Sequence, residues 1–261
     1  MPVKSILVVM STPAETARLT AAIALAERHG AAVAVLHAKP SPVVYASGSP
    51  GMDMPVTMIE AQQQEFDRTA NAIEAAVKAE AARTGIDVEW RSEEGDAVGI
   101  AGVHARYADL VVASPDLARD LVFSAAAPVL AFPDGAKTAA PARVMVAWNG
   151  SREAARAVRD ALPLIEAAEA VMVVVVDPPT GRPIGMDLGR ALGRHGIKAD
   201  VSERLSDGGD VGAILLEEAR TSGAELLVMG AYGHSRLREW VLGGATEEAL
   251  GEAKIPVLLS H

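Results

Sequence analysis

Hydrophobic positions along this chain fall into two kinds of stretch. Short runs that are almost wholly apolar, at residues 6–10, 32–38, 144–148, 171–176 and 226–229, alternate with longer stretches in which apolar side chains recur at helical spacing. Continuous apolar runs of that length read as strands buried on both faces, and the periodic stretches between them as helices that cover the sheet. Helices are predicted at 13–29 and 152–168. In 57–83, Ile59, Phe66, Ile73 and Val77 form a stripe, which predicts one long amphipathic helix packed on the core. Strands alternating with helices imply an α/β fold with a parallel sheet covered on both sides.

The pattern is written twice. Shifting each residue by 138 lays 6–10 over 144–148, Glu15 over Glu153, Ala17 over Ala155, Arg18 over Arg156 and Pro40 over Pro178 without a gap. Each copy opens as strand, helix, strand, a repeated βαβ unit. Farther on, Asp109-Leu110-Val111-Val112 matches Glu225-Leu226-Leu227-Val228 at an offset of 116, and Pro128-Val129-Leu130 matches Pro256-Val257-Leu258 at 128. The first copy therefore holds 22 extra residues before its fourth strand and lacks 12 after it. The extra residues include 41–55, rich in Ser, Pro, Gly and Met, which reads as a surface loop or as a flap over a pocket. Residues 134–141 have the composition of a linker, dividing the chain into domains at 1–136 and 141–261. Five strands are expected in each, doubly wound, with ligands bound beyond the carboxyl ends of the strands where strand order reverses.

The 12 residues missing from the first copy are those that carry glycines in the second. The strand at 226–229 ends at Gly230; Gly233 follows, and after nine further residues Gly243, Gly244, Ala245 and Thr246 open a helix that runs through Leu250. Glycine lets a ligand approach the main chain, and a helix start adds unpaired N–H groups and a partial positive charge, so this layout suits a phosphate. The same residues equally suit a shaped turn and a helix start with Thr246 as its cap. Glu247 and Glu248 would favour the helix dipole themselves and repel a phosphate, with Arg236 and Arg238 upstream to offset them. His234 either touches a phosphate or is a solvated loop histidine. In the first copy the corresponding stretch at 116–120 has no glycine, which predicts one anion site per chain.

Composition narrows the partners. A formal net charge of −10 and no basic run argue against nucleic acid. The chain has no cysteine, which excludes disulfides, thiolate nucleophiles and zinc-cysteine sites and fits a reducing compartment; a cytoplasmic location is expected. The apolar runs at 6–10 and 171–176 are too short for a signal peptide or a membrane span.

Gly230-Ala231-Tyr232-Gly233, nine residues and Gly243 followed by small and hydroxyl residues resemble the nucleotide loop of the universal stress protein (UspA) family. The resemblance covers nearly the whole chain as two tandem domains. It implies Rossmann-like (adenine nucleotide alpha hydrolase-like) domains, each a five-stranded parallel sheet with helices on both faces. By the same resemblance, a cytosolic stress-response module holds ATP, with Mg2+, or a related nucleotide in its C-terminal copy. Residues 230, 233 and 243–246 match phosphate-facing positions, Asn149 matches an Asp that lies against adenosine, and Val175 and Val176 match the adenine side. Two positions depart from the family pattern: Gly244 stands where Ser or Thr is usual, and Asn149 brings no charge. Family members pair through their last strand, which here predicts internal pairing of 127–132 with 255–260, and allows a further homodimer of chains.

Other chemistries lack support. No Lys-Ser or Lys-Thr follows a glycine in a Walker-type arrangement, and no Gly-x-Gly-x-x-Gly follows a strand. Residues 47–51 miss the nucleophile-elbow pattern, and the six histidines show no metal-ligand spacing. Asp210, just before a helix start, reads as a cap rather than a catalytic acid. The expectation is a nucleotide-binding protein that is not an enzyme and has no resident metal, with a protein-contact scaffold or a slow ATPase as alternatives.

Overall fold

Strand β1 (Ser5–Val9) sends Ile6 and Val8 to one side of its sheet and Leu7 and Val9 to the other, and all four are buried. This two-sided burial, which produces the unbroken apolar runs, extends through the computed structural model, which describes residues 2–41, 56–136, 140–232 and 244–261. After β1 the first half continues through α1 (Thr16–His29), β2 (Ala32–Lys39), α2 (Val56–Thr84) and β3 (Val88–Glu94). It closes with α3 (Ala97–His104), β4 (Leu110–Ala113), α4 (Pro115–Ser124) and β5 (Val129–Ala131). The second half repeats the order through β6 (Arg143–Ala147), α5 (Arg152–Glu166), β7 (Ala170–Val176), α6 (Ile184–Gly193) and β8 (Ala199–Arg204). It ends in α7 (Val211–Ser222), β9 (Leu226–Gly230), α8 (Gly244–Glu252) and β10 (Val257–Ser260).

Each half contributes the expected five strands, but they are not two separate sheets. They fuse into one ten-stranded sheet, ordered β3-β2-β1-β4-β5-β10-β9-β6-β7-β8. Every pairing is parallel except the join, where β5 and β10 run antiparallel with Leu130 opposite Leu258. Leu130 and Leu258 are equivalent residues of the two copies, so a pseudo-twofold axis passes between them. The internal pairing expected for 127–132 and 255–260 is realised by these strands.

The helices form two layers. α1, α2, α5 and α6 pack on one face around Ile23, Ile73, Leu164 and Leu188, and α3, α4, α7 and α8 pack on the other around Leu121, Leu215 and Leu250. The predicted stripe of α2 is graded, with Ile73 and Val77 fully buried and Ile59 and Phe66 half-buried. The copies also share a carboxylate brace. Asp109 accepts the Lys4 and Ser5 N–H groups at 2.8 and 3.0 Å, and its counterpart Glu225 accepts the Ala142 N–H at 2.6 Å. Both fix the start of a central strand.

The two halves differ after the fourth strand. In the first, Ser114 directly follows β4 and caps α4, its hydroxyl accepting the Leu117 N–H at 3.3 Å, so residues 116–120 are helix from the outset. Of the expected loop or flap at 41–55, only Ser41 lies within the described residues, and the expected linker is described at 134–136 and 140–141. Among the described residues, no helix is long and apolar enough to cross a membrane.

Candidate functional site

The carboxyl ends of β6, β7 and β9 open onto a cavity of about 560 Å3. It lies where strand order reverses, because β6 leads outward to β7 while its other neighbour β9 leads back towards the join. Its volume is within the range of small-molecule sites. The floor is apolar, made by Ala147, Val174, Val176, Leu215 and Met229. Polar groups stand at the rim, with Asn149 and Ser151 after β6, Asp177 after β7 and Asp210 before α7. Across from them lies the first turn of α8, contributing Gly244, Ala245 and Thr246.

The turn after β6 explains what Asn149 offers. Its side-chain oxygen accepts the Ser151 N–H at 3.0 Å, and the Ser151 hydroxyl caps α5 by accepting the Ala154 N–H at 3.1 Å. Gly150 between them adopts φ 73°, a left-handed conformation that favours glycine. Asn149 thus has one acceptor position used by the turn, and keeps a second lone pair and its amide N–H groups. Trp148, also lining the cavity, donates its indole N–H to the Ile184 carbonyl at 3.0 Å.

The two carboxylates of the rim are both engaged. Asp177 accepts the Ser206 N–H and hydroxyl at 2.8 and 2.6 Å, and these bonds hold its carboxyl below the ordinary range. Asp210 caps α7, accepting the Gly212 and Ala213 N–H groups at 2.6 and 3.3 Å, as its sequence position implies.

Gly230 is demanded by packing as well as by the cavity. A Cβ placed there would stand 2.4 Å from the Ala154 nitrogen and 2.6 Å from the Glu153 carbonyl carbon, so the end of β9 lies directly against the first turn of α5. Gly244 is the opposite case, since a Cβ there would meet nothing within 4 Å among the described residues. Thr246 is not the cap of α8. The helix already begins at Gly244, which places Thr246 inside its first turn, 3% exposed, with its hydroxyl accepting the Tyr232 N–H at 3.5 Å.

Val175 does not line the cavity. Strand side chains alternate, so Val174 and Val176 face it while Val175 points to the opposite layer, where it packs against Gly185 of α6. Gly233, His234, Gly243, Arg236 and Arg238 lie outside the described residues.

Glu247, expected to oppose a phosphate, does not line the cavity and instead reaches α4 of the first half. One of its oxygens accepts the Tyr232 hydroxyl, and the other accepts the Arg119 Nε–H at 2.8 Å. Burial, then the bond to Glu247, push the Tyr232 phenol well above its ordinary range, so it remains a donor at neutral pH. Tyr232 itself holds a left-handed backbone, φ 53°, uncommon for a bulky residue, immediately before the glycine-containing stretch. Its ring packs at a tilt on Phe123 of α4 with centroids 4.7 Å apart, and His261 meets the same Phe123 edge-on at 5.0 Å. Trp148, Asp177, Arg119 and Phe123 had no assigned role in the sequence. Asp177 was signalled by its place at the end of the second strand of its copy, and Arg119 by the 128-residue offset that lays it over Glu247.

Comparison with known proteins follows the same division. The sequence profile of the universal stress protein family matches residues 2–114 and 142–261. A universal stress protein from Archaeoglobus fulgidus DSM 4304 superposes with a TM-score of 0.71 at 17% identity, covering 98% of this chain and 95% of its own. A functionally unknown protein from Pseudomonas aeruginosa PAO1 superposes at 0.59 with 16% identity, over 99% and 92% of the two chains. A universal stress protein solved in complex with cAMP matches 47% of this chain over 99% of its own, with 20% identity and a TM-score of 0.37. A search of curated protein sequences finds no match.

Proposed function

We infer a nucleotide-binding role from one premise: the chain belongs to the universal stress protein family, as tandem domains. The family assignment carries a stress-response role at the level of the family. For this chain, the reading is that the C-terminal half binds ATP or a related adenine nucleotide, one per chain, and acts through its occupancy.

The observation that carries the reading is the composition of the cavity. An apolar floor suited to a base lies beside the amide-rich first turn of α8 at Gly244, Ala245 and Thr246, which suits a phosphate chain. Asn149 contributes an uncharged donor where the family's Asp would contribute an acceptor. The absence of a side chain at Gly244 removes one contact to phosphate and leaves the backbone contacts.

Calorimetric titration tests the reading, with ATP plus Mg2+, AMP and cAMP run separately. The expected result is saturable binding of one adenine nucleotide, abolished by Gly244→Asp, whose carboxylate fits the open space and repels phosphate. Absence of heat with every nucleotide overturns the reading in favour of a scaffold acting by protein contacts. Phosphate release that Gly244→Asp abolishes replaces it with a slow ATPase.

A further inference from the structure

A carboxylate in the first turn of a helix naturally folds back on the free N–H groups there, where it competes with any bound anion. Glu247 is the fourth residue of α8, beside the residues of that helix that line the cavity. In this structure both of its oxygens are occupied, by the Tyr232 hydroxyl and by Arg119, and Glu247 is not among the residues that line the cavity. Arg119 comes from α4, so the compensating charge is supplied by the half of the chain that has no glycine loop after its fourth strand.

We propose that Arg119 is a positioning residue for anion binding in the C-terminal half: it holds the Glu247 carboxylate away from the cavity and offsets its charge, while also bonding the exposed Asp116 of its own helix at 3.5 Å. The inference rests on the nucleotide reading of that cavity. Three further observations support it. The side chains of Arg119 and Glu247 are only 36% and 29% exposed, so their charges are less screened than those of a fully solvated pair. Phe123, one helical turn beyond Arg119, packs on the ring of Tyr232 and fixes the second donor to Glu247. The other acidic residue of that turn, Glu248, lies against α7 at Gly212 and, among the described residues, makes no comparable pair with α4. The N-terminal half is thus a built-in partner that completes the site of the C-terminal half.

The test is nucleotide titration with Mg2+ into wild type, Arg119→Gln, Arg119→Lys and the double variant Arg119→Gln/Glu247→Gln, with thermal unfolding of each as a control on folding. The charge of the pair is zero in wild type, Arg119→Lys and the double variant, and −1 in Arg119→Gln. Arg119→Gln is expected to weaken binding about three- to tenfold, with Arg119→Lys and the double variant within about twofold of wild type. A double variant as weak as Arg119→Gln shows a merely structural role and overturns the inference, as does unchanged binding by Arg119→Gln. If wild type and all variants fail to bind, the nucleotide reading itself has failed and the inference falls with it, an outcome distinct from the other two.

Discussion

Arg119 and Glu247 occupy the same position in the two copies, 128 residues apart, and meet across the pseudo-twofold axis with Nε and Oε2 2.8 Å apart. In a symmetric pair of identical domains this position would face its own copy, like charge against like. The tandem chain has differentiated it into opposite charges. The pair therefore favours docking of the two unlike halves over self-association of either, a use of charge that selects partners more than it adds stability.

Reversing one charge should expose that preference. Arg119→Glu is expected to cost about 1 kcal/mol or less in denaturant unfolding, as suits a partly exposed pair. Adding Glu247→Arg should restore most of the loss. A charge-swapped chain no more stable than Arg119→Glu contradicts the contact.

Two glycines of the site should respond oppositely to a methyl group. Gly230→Ala forces its Cβ into the backbone at Glu153 and Ala154 and is expected to destabilise by about 1–3 kcal/mol. Gly244→Ala meets nothing among the described residues and should be neutral or stabilising by about 1 kcal/mol. Equilibrium denaturation of the two variants decides, and equal losses would contradict the packing of β9 on α5.

The phenol of Tyr232 supplies a pH signature. Its folded pKa is raised above the ordinary value of 10.0, so its protonated form contributes stability that is fully present below that pH and lost as pH rises through the folded value. Of the three tyrosines, it should be the last to ionise in phenolate absorbance, and Tyr232→Phe should remove that last step. The stability advantage of wild type over Tyr232→Phe should shrink only in the alkaline range. A Tyr232 that ionises with the other tyrosines contradicts its burial together with its bond to Glu247.

Restoring a hydroxyl at the first turn of α8 should strengthen phosphate binding. Gly244→Ser places one on a side chain with room around it, and a single hydrogen bond predicts about a three- to tenfold lower Kd for nucleotide. Unchanged affinity would mean that the phosphate chain does not pass Gly244.

The repeated strands and the long α2 were legible in the sequence because burial on both faces writes strands as apolar runs and duplication writes them twice, whereas the pairing of the two last strands followed only from the family resemblance, and its antiparallel direction only from the structure. That same two-sided burial hid the phase of β7. With Val173, Val174 and Val175 all fully buried, nothing in the sequence distinguishes the face of Val175 from that of its neighbours, and only packing against α6 and the cavity settles it. Of the two readings of Thr246, the helix cap fails because helix starts shift by a residue or two without changing the pattern. Glu247 was read against its own loop, with Arg236 and Arg238 as the nearby cations, whereas a charge from the other copy reaches it. That contact was encoded in two separate facts, the 128-residue offset and the antiparallel pairing of β5 with β10, which together bring equivalent residues face to face.

A crystal structure of the chain with a non-hydrolysable ATP analogue tests the central claim most directly. One analogue per chain is expected, its base over Val174 and Val176 and its phosphates at the amides of Gly244, Ala245 and Thr246. An analogue bound in the N-terminal half, or a C-terminal cavity left without one at saturating concentration, would contradict that claim.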